Sequence, residues 1–302
     1  MAVTQTVPSA PHEPAVNLEA SGRVARRQRL SRASRYVLLG TALLGVSALV
    51  VLGIDTVMNG WGRVTPEFFT NYPSRFADQA GLRSSIIGSV WVLSLTMALV
   101  VPIGLGTAIW IEEFAPQNAV LGIIKINLAN LAGVPSIIYG VLGLAIFVRF
   151  LSFGPSILAG ALTLFLMILP MTIIAAQEAI RQVPDSIRQG SLALGASQWQ
   201  TVWGHVLPGA MPGMITGVIL AMARAAGETA ALVMIGAFAF IAYDNTSIMD
   251  NFTVIPVQIY NWTTRPQEGF RADAAAGIIV LMVIVLTFNI GAAVLRERFR
   301  RH

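Results

Sequence analysis

The chain has 302 residues, 55% of them hydrophobic and only 12% charged, with a formal net charge of +5. Soluble globular chains carry about 25% charged residues, and here apolar stretches of spanning length recur, so the composition excludes a soluble domain and gives an all-α, polytopic membrane protein. The absence of long alternating strands argues against a membrane barrel, and the absence of cysteine excludes thiolate-ligated metal sites.

In chain order, residues 1–35 read as an unstructured, Pro/Ala-rich tail, MAVTQTVPSAPHEPAVNLEA, closed by a basic anchor, GRVARRQRLSRASR. The apolar segment after it is too long and too late for a cleaved signal peptide. A transmembrane domain over 36–302 follows, with six helical spans at 36–58, 84–111, 119–149, 155–176, 209–242 and 274–295. The third and fifth exceed the roughly 20 residues that cross a bilayer, so part of each is expected in the interface or beyond it. Pro102, Pro135 and Pro170 fall within spans and predict kinks.

With both termini in the cytoplasm, that side holds the six arginines from Arg23 to Arg35, Lys125, Arg181, Arg188 and the four from Arg296 to Arg301. The outer side holds Arg63, Arg75, Arg83, Arg149, Arg265 and Arg271. The bias puts the termini inside. Basic residues at span ends are read as topology determinants and contacts to membrane lipid headgroups, not as a nucleic acid surface. The outer loops, 59–83 and 243–273, carry aromatics such as Trp61, Phe69, Tyr260 and Trp262 that suit interfacial belts. Glu112 and Glu113 are read as solvated residues at the end of the second span.

The cytoplasmic loop 177–208 is QEAIRQVPDSIRQGSLALGASQWQTVWGHVLP. Pro184 suits the first turn of a short helix and Gly195 its end. Ser197 followed by Gln200 reads as a capping box. The helix it opens carries Trp199, Val202, Trp203 and Val206 on one stripe and is expected to lie on the membrane surface until Pro208 and Pro212 close it. Periodicity alone leaves open whether this loop docks a partner or rests on headgroups.

Within the fifth span, ILAMARAAGETAALVMIGAF places Arg224 and Glu228 four residues apart in an apolar run. On a continuous helix the two share a face and neutralise each other, and a charge at mid-membrane marks a functional site by default. Gly213, Gly217, Ala221 and Ala225 form a small-residue stripe beside them, so the pair is expected to face the bundle interior. A guanidinium offers bidentate donors matched to an oxyanion. Arg224, Glu228 and Thr229 are therefore candidate substrate-route residues, Glu228 holding Arg224 while the route is empty. A self-satisfied pair that only packs the bundle stands as the alternative, and so does a proton relay in a secondary transporter.

Catalysis is not expected. Lys125 is the one lysine, so no Gly-x4-Gly-Lys phosphate loop exists and ATP must be hydrolysed by another polypeptide. No nucleophile–base constellation emerges, hence no catalytic residue. His12, His205 and His302 lack metal-ligand spacing, so neither metal nor cofactor is assigned.

The spacing from Gly195 to Leu207-Pro208 resembles the cytoplasmic signature loop of ABC importer permeases, with Gln189-Gly190-Ser191 standing where Glu-Ala-Ala is usual and His205 at an isoleucine position. The stretches LAGVPSIIYG (131–140), ARAAGETA (223–230) and IPVQIYNW (255–262), with the tail RERFRRH, resemble the phosphate-specific transport permeases, PstA-type. The resemblance runs from about residue 36 to the C-terminus. It implies a type I ABC importer fold that pairs with a PstC-type permease to enclose a route for inorganic phosphate. It further implies a PstB-type ATPase dimer seated on the inner loops and a PstS-type phosphate-binding protein outside. Arg188, Gln189, Gly190, Ser191, Leu194, Gly195, Ala196 and Trp199 would then form the ATPase coupling loop. A permease for sulfate or molybdate remains an alternative.

Overall fold

The computed structural model describes residues 22–237 and 240–300. Residues 1–21, where most of the expected tail falls, and Arg301 lie outside them. The chain divides into two compact units, residues up to Ile54 and residues from Asp55 on. Most of the first is a single helix, α1 (Gly22–Gly60), in which the basic anchor and the apolar stretch are continuous.

The second unit is helical, and apart from one isolated bridge between Ser156 and Asn251 no strand forms among the described residues. A short α2 (Pro66–Thr70) precedes α3 (Arg83–Ile109), which runs on through a wide turn, Trp110–Phe114. Next come α4 (Ala119–Ala132) and α5 (Ser136–Gly143), the latter prolonged by a wide turn, Leu144–Phe150. Asn118 opens α4 by accepting the Leu121 amide at 2.9 Å, and Ser156 likewise caps α6 (Ile157–Arg181), each satisfying an amide that the first turn leaves unpaired. The chain continues with α7 (Asp185–Ala193), α8 (Gln198–Thr201), α9 (Leu207–Ala226), α10 (Ala230–Met234), α11 (Ile255–Thr263) and α12 (Gly269–Arg300).

Among the described residues five helices are long and apolar enough to cross a membrane, and the α4–α5 pair makes a sixth if its 99° bend belongs to one span. Gly133-Val134-Pro135 makes that bend, because Pro135 lacks an amide hydrogen and disfavours helix in the residue before it. The Tyr139 hydroxyl donates to the Leu131 carbonyl at 2.8 Å, stapling α5 back to the last turn of α4.

Two expectations are corrected in the fifth span. First, Pro208 does not close a surface helix: Gln198–Ala226 is one 29-residue rod. The turn Val202–Val206 is widened, which relieves the clash that Pro208 would make with the carbonyl four residues back. Second, the span does not reach residue 242. It stops at Ala226, and Gly227, Glu228 and Thr229 separate it from α10.

Three buried clusters stack along the bundle. One at the α7 end includes Ile111, Ile173, Ile180, Val202 and Val206. A middle one holds Val92, Leu164, Ala225, Leu232 and Phe252. One at the opposite end gathers Phe68, Trp262 and Phe270. The small-residue stripe of α9 works as expected. A Cβ on Gly217 would lie 2.8 Å from the Ala175 Cβ, and one on Gly213 2.7 Å from that of Ala179, so α9 and α6 meet at a distance only glycine allows.

Candidate functional site

Two regions of this apolar scaffold hold the site residues that the sequence predicts: the α9–α10 break and the α7 end.

At the break, the structure overturns the expected Arg224–Glu228 pair. Gly227 ends α9 immediately after Ala226, so the helical geometry that would stack the two side chains is lost. Glu228 turns to α10, where its Oε1 accepts the Ala231 amide at 3.1 Å. That amide would otherwise be unpaired, and a carboxylate is the natural cap for it. Among the described residues no ion pair joins Arg224 to Glu228. The Arg224 Nη1 instead donates to the Met171 sulfur at 2.6 Å. A thioether is a weak acceptor, so most of the guanidinium's five donors are open.

Arg224 also does not face the interior of its own bundle. It is exposed, while Ala225 and Ala226 are buried, because successive helical residues diverge by about 100°. Met171 lies near the middle of α6, so the open guanidinium, two residues before the end of α9, stands level with the middle of α6. Glu228 and Thr229 are half-buried beside it.

At the other region, the loop folds largely as its local signals imply. Pro184 precedes α7, Gly195 follows it with φ +88°, and the Ser197–Gln200 capping box forms in both directions. The expected apolar stripe divides. Val202 and Val206 are fully buried, whereas Trp199 and Trp203 are exposed and pack on each other with ring centroids 5.4 Å apart, Phe114 flanking Trp199 at 5.8 Å. On α7 and its end, Ile187, Leu192 and Leu194 point outward, Leu194 91% exposed. Gln189 and Gly190 are exposed beside them, with open space at the Gly190 Cα, and Ala196 is half-buried.

Glu112 and Glu113 are not solvated, which corrects the sequence reading; Glu113 keeps 8% of its side-chain exposure and Glu112 11%. Glu112 receives a bidentate fork from Arg181, at 2.8 and 3.0 Å, a Gln177 amide at 2.9 Å and the Lys125 ammonium at 3.2 Å. Glu113 binds Arg188 at 2.8 Å. Arg188 also donates to the Val183 carbonyl at 2.7 Å, to Ile180 at 3.0 Å and to Asp185 at 3.0 Å. The Glu113 carboxylate raises the Arg188 pKa above its ordinary value. Gln198 donates to the Glu113 carbonyl, and the buried hydroxyls of Ser191 and Thr201 bond at 2.9 Å. Sequence reading missed this cluster because Gln177, Arg181 and Arg188 lie 65 to 75 residues from the acids they bind; two adjacent acids at the same membrane face as three isolated basic residues were the available signal.

Residues 101–301 match the family described as binding-protein-dependent transport system inner membrane component. The chain is 33% identical over 275 residues to a probable ABC transporter permease, YqgI, of Bacillus subtilis, covering 84% of this chain and 92% of that protein. It is 30% identical to the phosphate transport system permease protein PstA 1 of Mycobacterium tuberculosis, over 80% of each chain. A relative in Xylella fastidiosa, named phosphate transport system permease protein PstA, is 26% identical over 92% of this chain and 97% of its own. Among solved structures, a bacterial alginate ABC transporter superposes with a TM-score of 0.64 at 14% identity, covering 91% of this chain and 98% of that one. The MetNI methionine ABC transporter gives 0.54 at 15% identity, with 70% and 94% covered. The all-α fold with its bent fourth and fifth helices is that of the type I ABC importer permeases, and the chain belongs to the binding-protein-dependent transport system inner membrane components, the membrane-spanning permeases of ABC transporters.

Proposed function

We propose that the chain is the PstA-type half of an ATP-driven importer of inorganic phosphate in the plasma membrane, with both termini cytoplasmic. Relatives covering 80% and 92% of its length are named phosphate transport permeases, and the excess of basic residues at the α7 end and the termini supports the orientation. The observation that carries the reading is Arg224, an exposed guanidinium level with the middle of α6, whose only hydrogen-bond partner among the described residues is a thioether. An oxyanion supplies the acceptors that the protein withholds. Glu228 keeps the helix break in shape rather than neutralising Arg224, and the Thr229 hydroxyl lies next to it.

A PstC-type permease completes the route on the exposed side of Arg224, and a PstS-type protein delivers phosphate from outside. A PstB-type ATPase dimer receives α7, whose outward Ile187, Leu192 and Leu194 offer an apolar face to a groove. Closure of the ATPases on ATP displaces α7 and opens the route outward; hydrolysis reverses it. The proton-relay reading loses its premise, since Arg224 and Glu228 do not pair.

The test is uptake of radiolabelled phosphate by the complete complex in liposomes. ATP-dependent uptake that sulfate and molybdate fail to compete, and that Arg224→Ala abolishes in an intact complex, supports the proposal. Competition by sulfate would reassign the anion. Uptake driven by a proton gradient without ATP would sink the assignment altogether.

A further inference from the structure

We infer that Glu113 and Glu112 are positioning residues that make the coupling helix move as one body with the spans. The inference rests on the ATPase-docking reading of α7 given above. A nine-residue helix joined to its bundle by flexible loops would absorb a push rather than pass it on. Here both of its flanks are fastened. Arg188, near the middle of α7, is gripped by Glu113 from α3 and by the carbonyls of Ile180 and Val183 at the end of α6. Ile180 lies in the last turn of α6, where its carbonyl also accepts the Val183 amide at 3.2 Å, and Val183 lies two residues past the helix. On the following side, Ser191 is bonded to Thr201 at the foot of the long rod.

Glu112 completes the fastening one layer away. It ties Arg181 and Gln177 of α6 to Lys125 of α4, so that α3, α4 and α6 share one carboxylate. Consecutive residues on a helix point in different directions, which is how two adjacent acids reach separate partners: Glu112 the spans, Glu113 the coupling helix. A carboxylate this buried is stable only while its cation stays in place, and it therefore resists separation of α7 from the bundle.

The experiment uses the complete complex, measuring phosphate transported per ATP hydrolysed, a ratio that loss of protein alone does not change. Glu113→Gln is expected to leave ATP hydrolysis running while lowering that ratio about ten-fold, within the usual range of coupling between sites. A second variant guards against misfolding. Because the chain has no cysteine, Glu113→Cys with Arg188→Cys can be bridged by a short bifunctional thiol reagent; the bridge should restore the ratio that the unbridged double variant has lost. An unchanged ratio in the assembled Glu113→Gln complex, or no recovery on bridging, overturns the inference. Failure of the unaltered complex to couple ATP to uptake would instead refute the proposed function.

Discussion

Arg188 and Arg224 sit at opposite extremes of how a guanidinium is used. Arg188 has two carboxylates and two carbonyls around it, on a region built to stay together. Arg224 has one sulfur atom and an exposed face. Donors that are fully engaged hold structure, while donors left open are available to something that arrives. The same side chain thus serves as a fastener in one place and, in the function proposed, as a receptor in the other, and the acceptors around it decide which.

The sharpest way to break the contrast is Arg224→Ala. Uptake should fall about a hundred-fold, the loss of two charge-assisted hydrogen bonds, while the unfolding free energy in detergent stays within about 0.5 kcal/mol of the parent. Arg224→Lys keeps the charge without the planar fork and should cost about ten-fold in uptake. Arg188→Ala should do the reverse, lowering stability in thermal unfolding by roughly 2 kcal/mol. That is below the full penalty for orphaning a buried charge, since water can enter the space that Arg188 vacates and solvate Glu113. A stability loss at Arg224 as large as that at Arg188 would erase the distinction.

These outcomes bear on what was legible in the sequence. Signals confined to a few neighbouring residues were read correctly: Pro184 and Gly195 bracket α7, Ser197 and Gln200 close their box, and Gly213 and Gly217 admit α6. The break after Ala226 was not legible, because ARAAGETA holds no proline and its alanines favour helix. A single glycine ended the helix only because Glu228 could cap the first turn of α10. Neither was the role of Glu112 and Glu113 legible, since their partners come from helices dozens of residues away. Arg224 was found by its charge, but its partner was misassigned by assuming an unbroken helix.

Two smaller effects sharpen the picture. Ser197→Ala removes the cap at the foot of the rod and should cost about 1 kcal/mol, seen as faster hydrogen exchange at the amides of Gln200 and Thr201. At the opposite end, Asp244 is held below its ordinary value near 3.8 chiefly by its hydrogen bond from Arg83, at 2.9 Å. A depressed carboxylate contributes stability that is complete above its unfolded value and is lost as pH falls through the lower folded one. Unfolding temperature should therefore be flat from about pH 8 to 5 and decline only in stronger acid, and Asp244→Asn should flatten part of that decline.

The uninterrupted rod from Gln198 to Ala226 has a mechanical corollary. At 1.5 Å per residue, its 29 residues measure about 43 Å, with Trp199 at one tip and Arg224 at the other. Pivoting such a seesaw by about 5° around its midpoint swings each tip roughly 2 Å, in opposite senses. That is comparable to the radius of an oxygen atom, so a modest nudge on the tryptophan tip is enough to widen or pinch the route proposed beside the arginine.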